Sequence, residues 1–121
     1  MHDPNKVKAA NLARLLEKNG CFGCDLSGLD LSGKDLDGAD LEKANLAGCN
    51  LENADLAKAN LKGALLQKAI LRKANLKKAD LYKANLTDAD LTDAKVAEAM
   101  FDSAETASAV GLKEAIKAAG Q

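Results

Sequence analysis

The sequence has almost none of the residues from which an ordinary globular core or a catalytic site is built. Its 121 residues include two Phe, one Tyr, no Trp, one Pro, one His and three Cys. Valine and isoleucine are also scarce, with three and two copies. Globular cores of mixed side-chain size depend on aromatic and branched residues, so such a core is excluded. A single histidine and three cysteines leave little material for a catalytic or metal site.

Charge and hydropathy exclude two further classes of protein. Lys plus Arg is 17 and Asp plus Glu is 18, which gives a formal net charge of −1. This balance provides no overall attraction to nucleic acid or to an anionic membrane surface. No apolar run approaches the roughly 20 residues that a membrane-spanning helix needs. We therefore expect a protein partner, no nucleic acid and no membrane span.

A five-residue repeat is the main feature that the sequence does have. Leucine recurs every five residues from Leu26 to Leu91, and Val96 and Phe101 continue the register, which gives 16 units. We call the leucine the centre of each unit. Alanine stands at most of the positions two residues before a centre, and Asp or Asn usually stands directly before it. The unit is therefore A-(D/N)-L-x-x.

The period of five excludes a single helix and a single straight strand. In a helix each centre would advance by about 140°, so the leucines would form no stripe. In a strand successive leucines would alternate between the two faces, because five is odd. A short extended piece and a turn in every unit bring all the alanines and leucines to one axis. We therefore predict an all-β solenoid whose coils stack about 4.8 Å apart.

The run CDLSG LDLSG KDLDG ADLEK ANLAG CNLEN ADLAK ANLKG closely resembles the pentapeptide-repeat family, and the resemblance covers residues 24–103. In that family four units form one coil of a right-handed quadrilateral β-helix. The resemblance thus implies about four coils here, and a bacterial source such as a cyanobacterium.

Both ends of the chain contain a candidate helical cap, which would cover the open strand edges of a solenoid. Asp3 and Pro4 are typical of a helix start, and Gly20 is a candidate stop. A second helical segment is expected to begin at Ser103. The predicted domains are an N-terminal helical cap at 1–23, the β-helix at 24–103 and a C-terminal helical cap at 104–121.

Oppositely charged residues recur 20 positions apart, which supports four units per coil. The predicted pairs between coils are Glu42–Lys62, Glu52–Arg72, Lys68–Asp88, Lys73–Asp93 and Lys78–Glu98. Such pairs each stabilise a sheet by a few tenths of a kcal/mol, up to about 1. The stretch 58–83 holds eight basic residues and one acid, and acidic units flank it on both sides.

Cys21 and Cys24 form a C-x-x-C motif with three interpretations. A redox dithiol usually has its first cysteine at a helix N-terminus, whereas Cys21 follows a predicted helix. A zinc site needs two more ligands, and His2 and Cys49 supply no recognisable second pair. The favoured interpretation is structural, with Cys24 facing inward and bonded to Cys21, which would imply an oxidising compartment. Cys49 is expected to be a buried free thiol.

Leu65 and Ile70 replace the usual Asp or Asn before a centre. Together with Tyr82 they are candidates for contact with a partner, although isolated apolar residues on a surface need no functional cause. Glycines at the second position after a centre are expected to adopt a positive φ. Lysine at the same position in later units indicates turns that do not need it.

These observations favour a non-enzymatic structural or protein-interaction module, with no catalytic residues, no metal and no cofactor, as a monomer or weak homodimer. The resemblance implies one alternative, because some family members mimic DNA and bind DNA gyrase. A redox or metal protein that uses Cys21 and Cys24 is another. The sequence starts without a signal peptide. We expect an extracytoplasmic location, in a periplasm or thylakoid lumen, if one has been removed, and a cytoplasmic location otherwise.

Overall fold

The computed structural model describes residues 3–120 as a solenoid flanked by two helices. Helix α1 spans Pro4–Lys18 and helix α2 spans Leu112–Ala119. Between them, single residues form parallel β-bridges to residues 20 positions further on, from Gly20 with Asp40 to Asp90 with Val110. The backbone therefore returns to the same side of the rod after every fourth unit. The predicted solenoid is confirmed.

Backbone hydrogen bonds explain why a five-residue unit is sufficient. In the unit centred on Leu46, the N–H of the centre and that of the second residue after it donate to the next coil, at 2.7 and 2.9 Å. The N–H before the centre donates to the preceding coil at 2.8 Å. Of the remaining two, one closes the turn from the preceding centre, and one donates to the side chain of Asn45. All five N–H groups are satisfied without a continuous strand.

The interior consists of stacked leucines and alanines. Leucines at the centres from Leu26 to Leu91 are at most 1% exposed, and the alanines of the same units from Ala39 to Ala89 are fully buried. Each coil contributes four centres, so aromatic side chains are not needed to fill the rod. The composition of the chain is thus a direct consequence of its repeat.

All the turns of the solenoid have one conformation. The second residue after a centre has a positive φ, 65–74° at six glycines and 56–61° at twelve other residues. Those twelve are Lys43, Asn53, Lys58, Lys68, Lys73, Lys78, Lys83, Asp88, Asp93, Glu98, Ser103 and Ser108. The expectation that lysine-containing turns differ is wrong. A positive φ at the third turn residue alone is the type II pattern, and the 20-residue register requires the same turn at every corner.

Helix α1 covers the first coil. The side chain of Asp3 accepts a hydrogen bond from the backbone of Asn5 at 2.9 Å, and Pro4 is the first helical residue, as predicted. The helix ends at Asn19, which has a left-handed φ of 55°, so the adjacent Gly20 is free to bridge Asp40. Leu15 is buried against the core.

The C-terminal end differs from the sequence expectation. The turn-and-bridge pattern continues past Ser103 to Val110, whose carbonyl oxygen accepts a hydrogen bond from Leu91 at 2.7 Å. Helix α2 begins only at Leu112, after Gly111 turns the chain with a φ of 77°. Leu112 and Ala115 then pack on the core. Among residues 3–120, no helix has the length and hydropathy to cross a membrane.

Candidate protein-interaction surface

The Asp or Asn before each centre has a defined structural role. Its Oδ1 accepts a hydrogen bond from the backbone N–H two residues later, at 3.0–3.2 Å, in twelve of the fourteen units centred from Leu26 to Leu91. This is an Asx turn, which Asp and Asn side chains favour. The preference for Asp or Asn before a centre is visible in the sequence, but the Asx turn that it serves was not predicted. The regular Asp/Asn pattern beside a turn was the available signal.

Leu65 and Ile70 are the two exceptions, and they lie in consecutive units of one coil. Neither side chain can accept a hydrogen bond, so the N–H groups of Gln67 and Arg72 have no acceptor among the described residues. The side chain of Leu65 is 38% exposed, and Ile70 is half-buried. We call Leu65 and Ile70 the mid-rod apolar surface.

Polar side chains lie directly above and below this surface. Leu65 bridges Asn45 in one neighbouring coil and Asn85 in the other. Ile70 lies in the same way between Asn50 and Asp90. The mid-rod apolar surface therefore interrupts two columns of Asx residues in the middle of the rod.

The glutamine beside Leu65 is also unusual. The Oε1 atom of Gln67 is buried and has no hydrogen-bond partner among the described residues. A buried polar atom without a partner costs about 1–3 kcal/mol. Together with the two missing Asx turns, this leaves more polar groups without a hydrogen bond in the units centred on Leu66 and Leu71 than in the neighbouring units.

Tyr82 does not share a side of the rod with the mid-rod apolar surface. Its carbonyl oxygen accepts a hydrogen bond from the N–H of Gly63. Tyr82 therefore lies in the coil after that of Leu65, on the side of the rod that comes before the side of Leu65. Tyr82 is exposed, and the ammonium group of Lys83 lies 5.3 Å from its ring centroid. The structure thus brings Leu65 and Ile70 to neighbouring sides of one coil and leaves Tyr82 apart.

Ion pairs between coils follow a different pattern from the predicted one. Of the five predicted pairs, Lys78 with Glu98 lies within 4.0 Å, at 3.8 Å. Lys62 contacts Asp80 and Arg72 contacts Asp90, both at 3.6 Å. The 20-residue register is the one expected, but a long basic side chain reaches across to the Asx position of the next coil. Surface pairs of this kind stabilise a fold by 0–1 kcal/mol.

The cysteines are all buried in the core. Cys21 and Cys24 are joined by a disulfide, with their Cα atoms 5.4 Å apart. The thiol of Cys49 donates a hydrogen bond to the carbonyl oxygen of Leu26 at 2.9 Å, and burial raises its pKa. No group of three or more metal-ligating side chains occurs within residues 3–120. His2 lies outside the described residues.

A cavity of about 400 Å³ lies between helix α2 and residues 93–97. Five alanines and Val96 line much of it, and two lysines and two acidic residues complete the lining. The carboxylates of Asp93 and Glu114 could act as general bases, but among the described residues no histidine, serine, threonine or cysteine lines the cavity to pair with them. The cavity therefore offers space but no convergent catalytic chemistry.

Comparisons with known proteins agree with this fold. Residues 21–57 and 59–96 match the family model for pentapeptide repeats. The chain is similar to HetL, a pentapeptide repeat protein involved in heterocyst differentiation regulation in the cyanobacterium Nostoc sp. strain PCC 7120. The two are 32% identical, with a TM-score of 0.74, over 78% of this chain and 41% of HetL. The chain thus spans about two fifths of the length of HetL. Comparison with curated protein sequences gave no match.

Two other solved structures are similar over most of the chain. QnrB1, a plasmid-mediated fluoroquinolone resistance protein, is 20% identical, with a TM-score of 0.57, over 66% of this chain and 44% of QnrB1. A pentapeptide repeat protein from the Arabidopsis thaliana thylakoid lumen is 29% identical, with a TM-score of 0.43, over 80% of this chain and 64% of its own. The likeness to HetL and QnrB1 identifies the solenoid as a right-handed β-helix.

Proposed function

The chain belongs to the pentapeptide-repeat family, and we propose that it is a non-enzymatic rod of about four coils between helical caps, which binds a protein partner through the mid-rod apolar surface. Proteins of this family are generally structural or protein-binding rather than enzymatic. The proposed role requires no catalytic residue, no metal and no cofactor.

The loss of two Asx turns at Leu65 and Ile70 is the observation that supports this surface. An intramolecular hydrogen bond contributes about 0.5–1.5 kcal/mol to stability, and twelve neighbouring units make this bond. The two units give it up in favour of apolar side chains that lie at the surface. Such a cost is understandable if the apolar side chains have a function outside the fold.

The unused N–H groups indicate what a partner would present. In the other units the acceptor is an outward Asx side chain, so the corresponding N–H groups of Gln67 and Arg72 face outward. A partner that places apolar side chains on Leu65 and Ile70 and an oxygen atom near these N–H groups would satisfy both. Tyr82 is a candidate for an additional contact when the partner wraps around the rod.

The alternatives find less support. A DNA mimic needs a continuous negative surface, whereas the stretch 58–83 contains eight basic residues and one acid. The likeness to QnrB1, at 20% identity, concerns the fold alone. A catalytic dithiol or a metal site at Cys21 and Cys24 would need sulfur atoms that are accessible in the folded protein, whereas both residues are buried while helix α1 is docked.

Compartment and assembly follow as parts of the proposal. A disulfide persists in oxidising compartments, so the bond between Cys21 and Cys24 favours a periplasm or thylakoid lumen over a cytoplasm. The mid-rod apolar surface is small, because it has two apolar side chains on adjoining sides of the rod. It would support a monomer or a weak homodimer that binds its partner transiently.

Affinity capture from the host of this chain tests the proposal. The wild type is compared with the double variant Leu65→Asn/Ile70→Asn, and with the control Leu16→Asn, which changes an exposed leucine on α1. We expect at least one protein to be captured by the wild type and the control and to be lost with the double variant. Equal capture by all three proteins would contradict the proposed surface.

A further inference from the structure

Helix α1 rests directly on the disulfide between Cys21 and Cys24. Cys21 lies five residues before Leu26, so it takes the position of a centre one unit before the leucine repeat, and it is fully buried. Cys24 fills the small inner position of the unit centred on Leu26. The sulfur of Cys21 lies 3.5 Å from the carbonyl oxygen of Asn11. A guanidinium nitrogen of Arg14 lies 4.0 Å from the sulfur of Cys24. The disulfide is therefore the outermost layer of the core, and α1 is its cover.

The same end of the molecule also supplies hydrogen bonds that a preceding coil would otherwise make. The side-chain amide of Asn11 donates to the carbonyl oxygen of Asp25 at 3.0 Å. The side-chain amide of Asn19, the C-cap of α1, donates to the carbonyl oxygen of Asp37 at 3.0 Å. In later coils the equivalent oxygens accept from backbone N–H groups. Undocking of α1 would leave an apolar layer and an unpaired strand edge open to another chain.

Reduction of the disulfide has a defined chemistry in this setting. Cys24 is 7% exposed and Cys21 is fully buried beneath α1. Once the helix has moved away, Cys24 is the outer of the two, and the thiolate of a dithiol reductant would attack its sulfur. The S–S bond breaks, and Cys21 leaves as a thiolate that takes up a proton. The second thiol of the reductant then releases Cys24 and closes the reductant's own disulfide. Two electrons and two protons enter the protein.

A docked helix α1 hinders reduction of the disulfide, and reduction of the disulfide hinders docking of α1. A thiolate cannot reach sulfur atoms that are covered by a docked α1, so reduction requires the helix to move away. Two separate thiols also need more room than one disulfide, because non-bonded atoms stand at van der Waals distance, and a close-packed layer has no spare room. Coupling of this kind is reciprocal.

We propose that α1 and the Cys21–Cys24 disulfide form a redox-sensitive gate over the N-terminal end of the rod. Undocking of α1 admits the reductant, and reduction in turn prevents full re-docking and leaves the first coil uncovered. The gate rests on the oxidised pair and not on the mid-rod apolar surface, so either proposal can fail without the other.

The rate of reduction tests the gate. Dithiothreitol is added to the full chain in a Cys49→Ala background, which removes the third thiol and installs the alanine common at that position. We expect Leu15→Ala, which weakens α1 docking, to accelerate reduction by about 10-fold or more. The matched core variant Leu56→Ala should change the rate by less than about 2-fold, because it lies away from the cap. Equal rates in the two variants would overturn the proposal.

Hydrogen exchange with Leu15 retained provides a measurement that does not depend on the stability of Leu15→Ala. Amide protection is compared in the oxidised and the reduced Cys49→Ala protein. We expect reduction to remove protection from the α1 amides of Val7 to Lys18 and to leave those of the centres Leu46 to Leu91 unchanged. Equal protection of α1 in both redox states would show that no gate exists.

Discussion

Oδ1 of Asp90 accepts two hydrogen bonds from Thr92, one from the backbone N–H at 3.0 Å and one from the hydroxyl group at 2.6 Å. Its Oδ2 lies 3.6 Å from Nε of Arg72 in the preceding coil. The hydroxyl hydrogen bond holds the pKa of Asp90 below its ordinary value, with smaller contributions from the backbone N–H and Arg72. Serine hydroxyl groups lower the pKa values of Asp25 and Asp30 in the same way.

These lowered pKa values predict a loss of stability in acid. A carboxyl group whose pKa is lower in the folded state stabilises the fold above its unfolded value of about 3.9, and this contribution is lost as pH falls through the folded pKa. The free energy of unfolding at pH 7 and at pH 2.5 should therefore differ more in the wild type than in Asp90→Asn or Thr92→Val. An equal pH dependence in all three proteins, measured by chemical denaturation, would contradict this assignment.

The substitution Gly111→Ala should destabilise the C-terminal end strongly. Gly111 has a φ of 77°, and a Cβ atom there would lie 2.8 Å from both Cα and N of Thr92. Gly28 is the matched control, because it has a φ of 74° but no atom within 4 Å of its added Cβ. Beyond the backbone strain that both variants share, Gly111→Ala should lose a further 1–3 kcal/mol or so to overlap. Urea denaturation of the two variants gives this difference, and equal midpoints would refute the close approach.

The substitution Leu56→Ala should cost about 2–5 kcal/mol, because it leaves a cavity in a column of leucines. Leu56 is fully buried, whereas Lys58 in the same unit is exposed. Lys58→Ala should therefore change the free energy of unfolding by less than about 0.5 kcal/mol. Thermal or urea denaturation measures both, and a small effect at Leu56 would place the centres outside the core.

Position 65 allows the strength of the Asx turn to be measured. Leu65→Asn supplies an acceptor for the N–H of Gln67, whereas Leu65→Ala does not. The Asn variant should be more stable than the Ala variant by about 0.5–1.5 kcal/mol. At Asn45, in the same column, replacement by alanine should cost a similar amount relative to the wild type. If the two variants at position 65 are equally stable, the Asx turns do not stabilise the rod.

The five-residue leucine pattern was sufficient to predict the solenoid and the inward leucines and alanines. Those features depend on burial, which a period expresses directly. The start of α1 at Asp3 and Pro4 was also predictable, because capping depends on local side-chain chemistry.

The features that the sequence did not reveal depend on the stacked coils. Lys73 has a φ of 60° because its turn must match those above and below, although lysine itself favours a helix. Lys62 contacts Asp80 instead of Glu42, because the choice of partner depends on side-chain reach across the rod. The end of the solenoid at Val110 was missed because residues 104–110 are rich in alanine, which favours a helix unless a neighbouring coil supplies hydrogen bonds.

Hydrogen-bond scalar couplings in isotope-labelled protein test the architecture most directly, because every proposed surface depends on the 20-residue register. The N–H of Leu46 donates to the carbonyl oxygen of Leu65 at 2.7 Å, and the N–H of Leu71 donates to the carbonyl oxygen of Asp90 at 2.7 Å. We expect couplings from each of these amide nitrogens to the carbonyl carbon 19 positions further on. Couplings to carbonyl carbons four residues earlier, as in an α-helix, would contradict the solenoid and the surfaces placed on it.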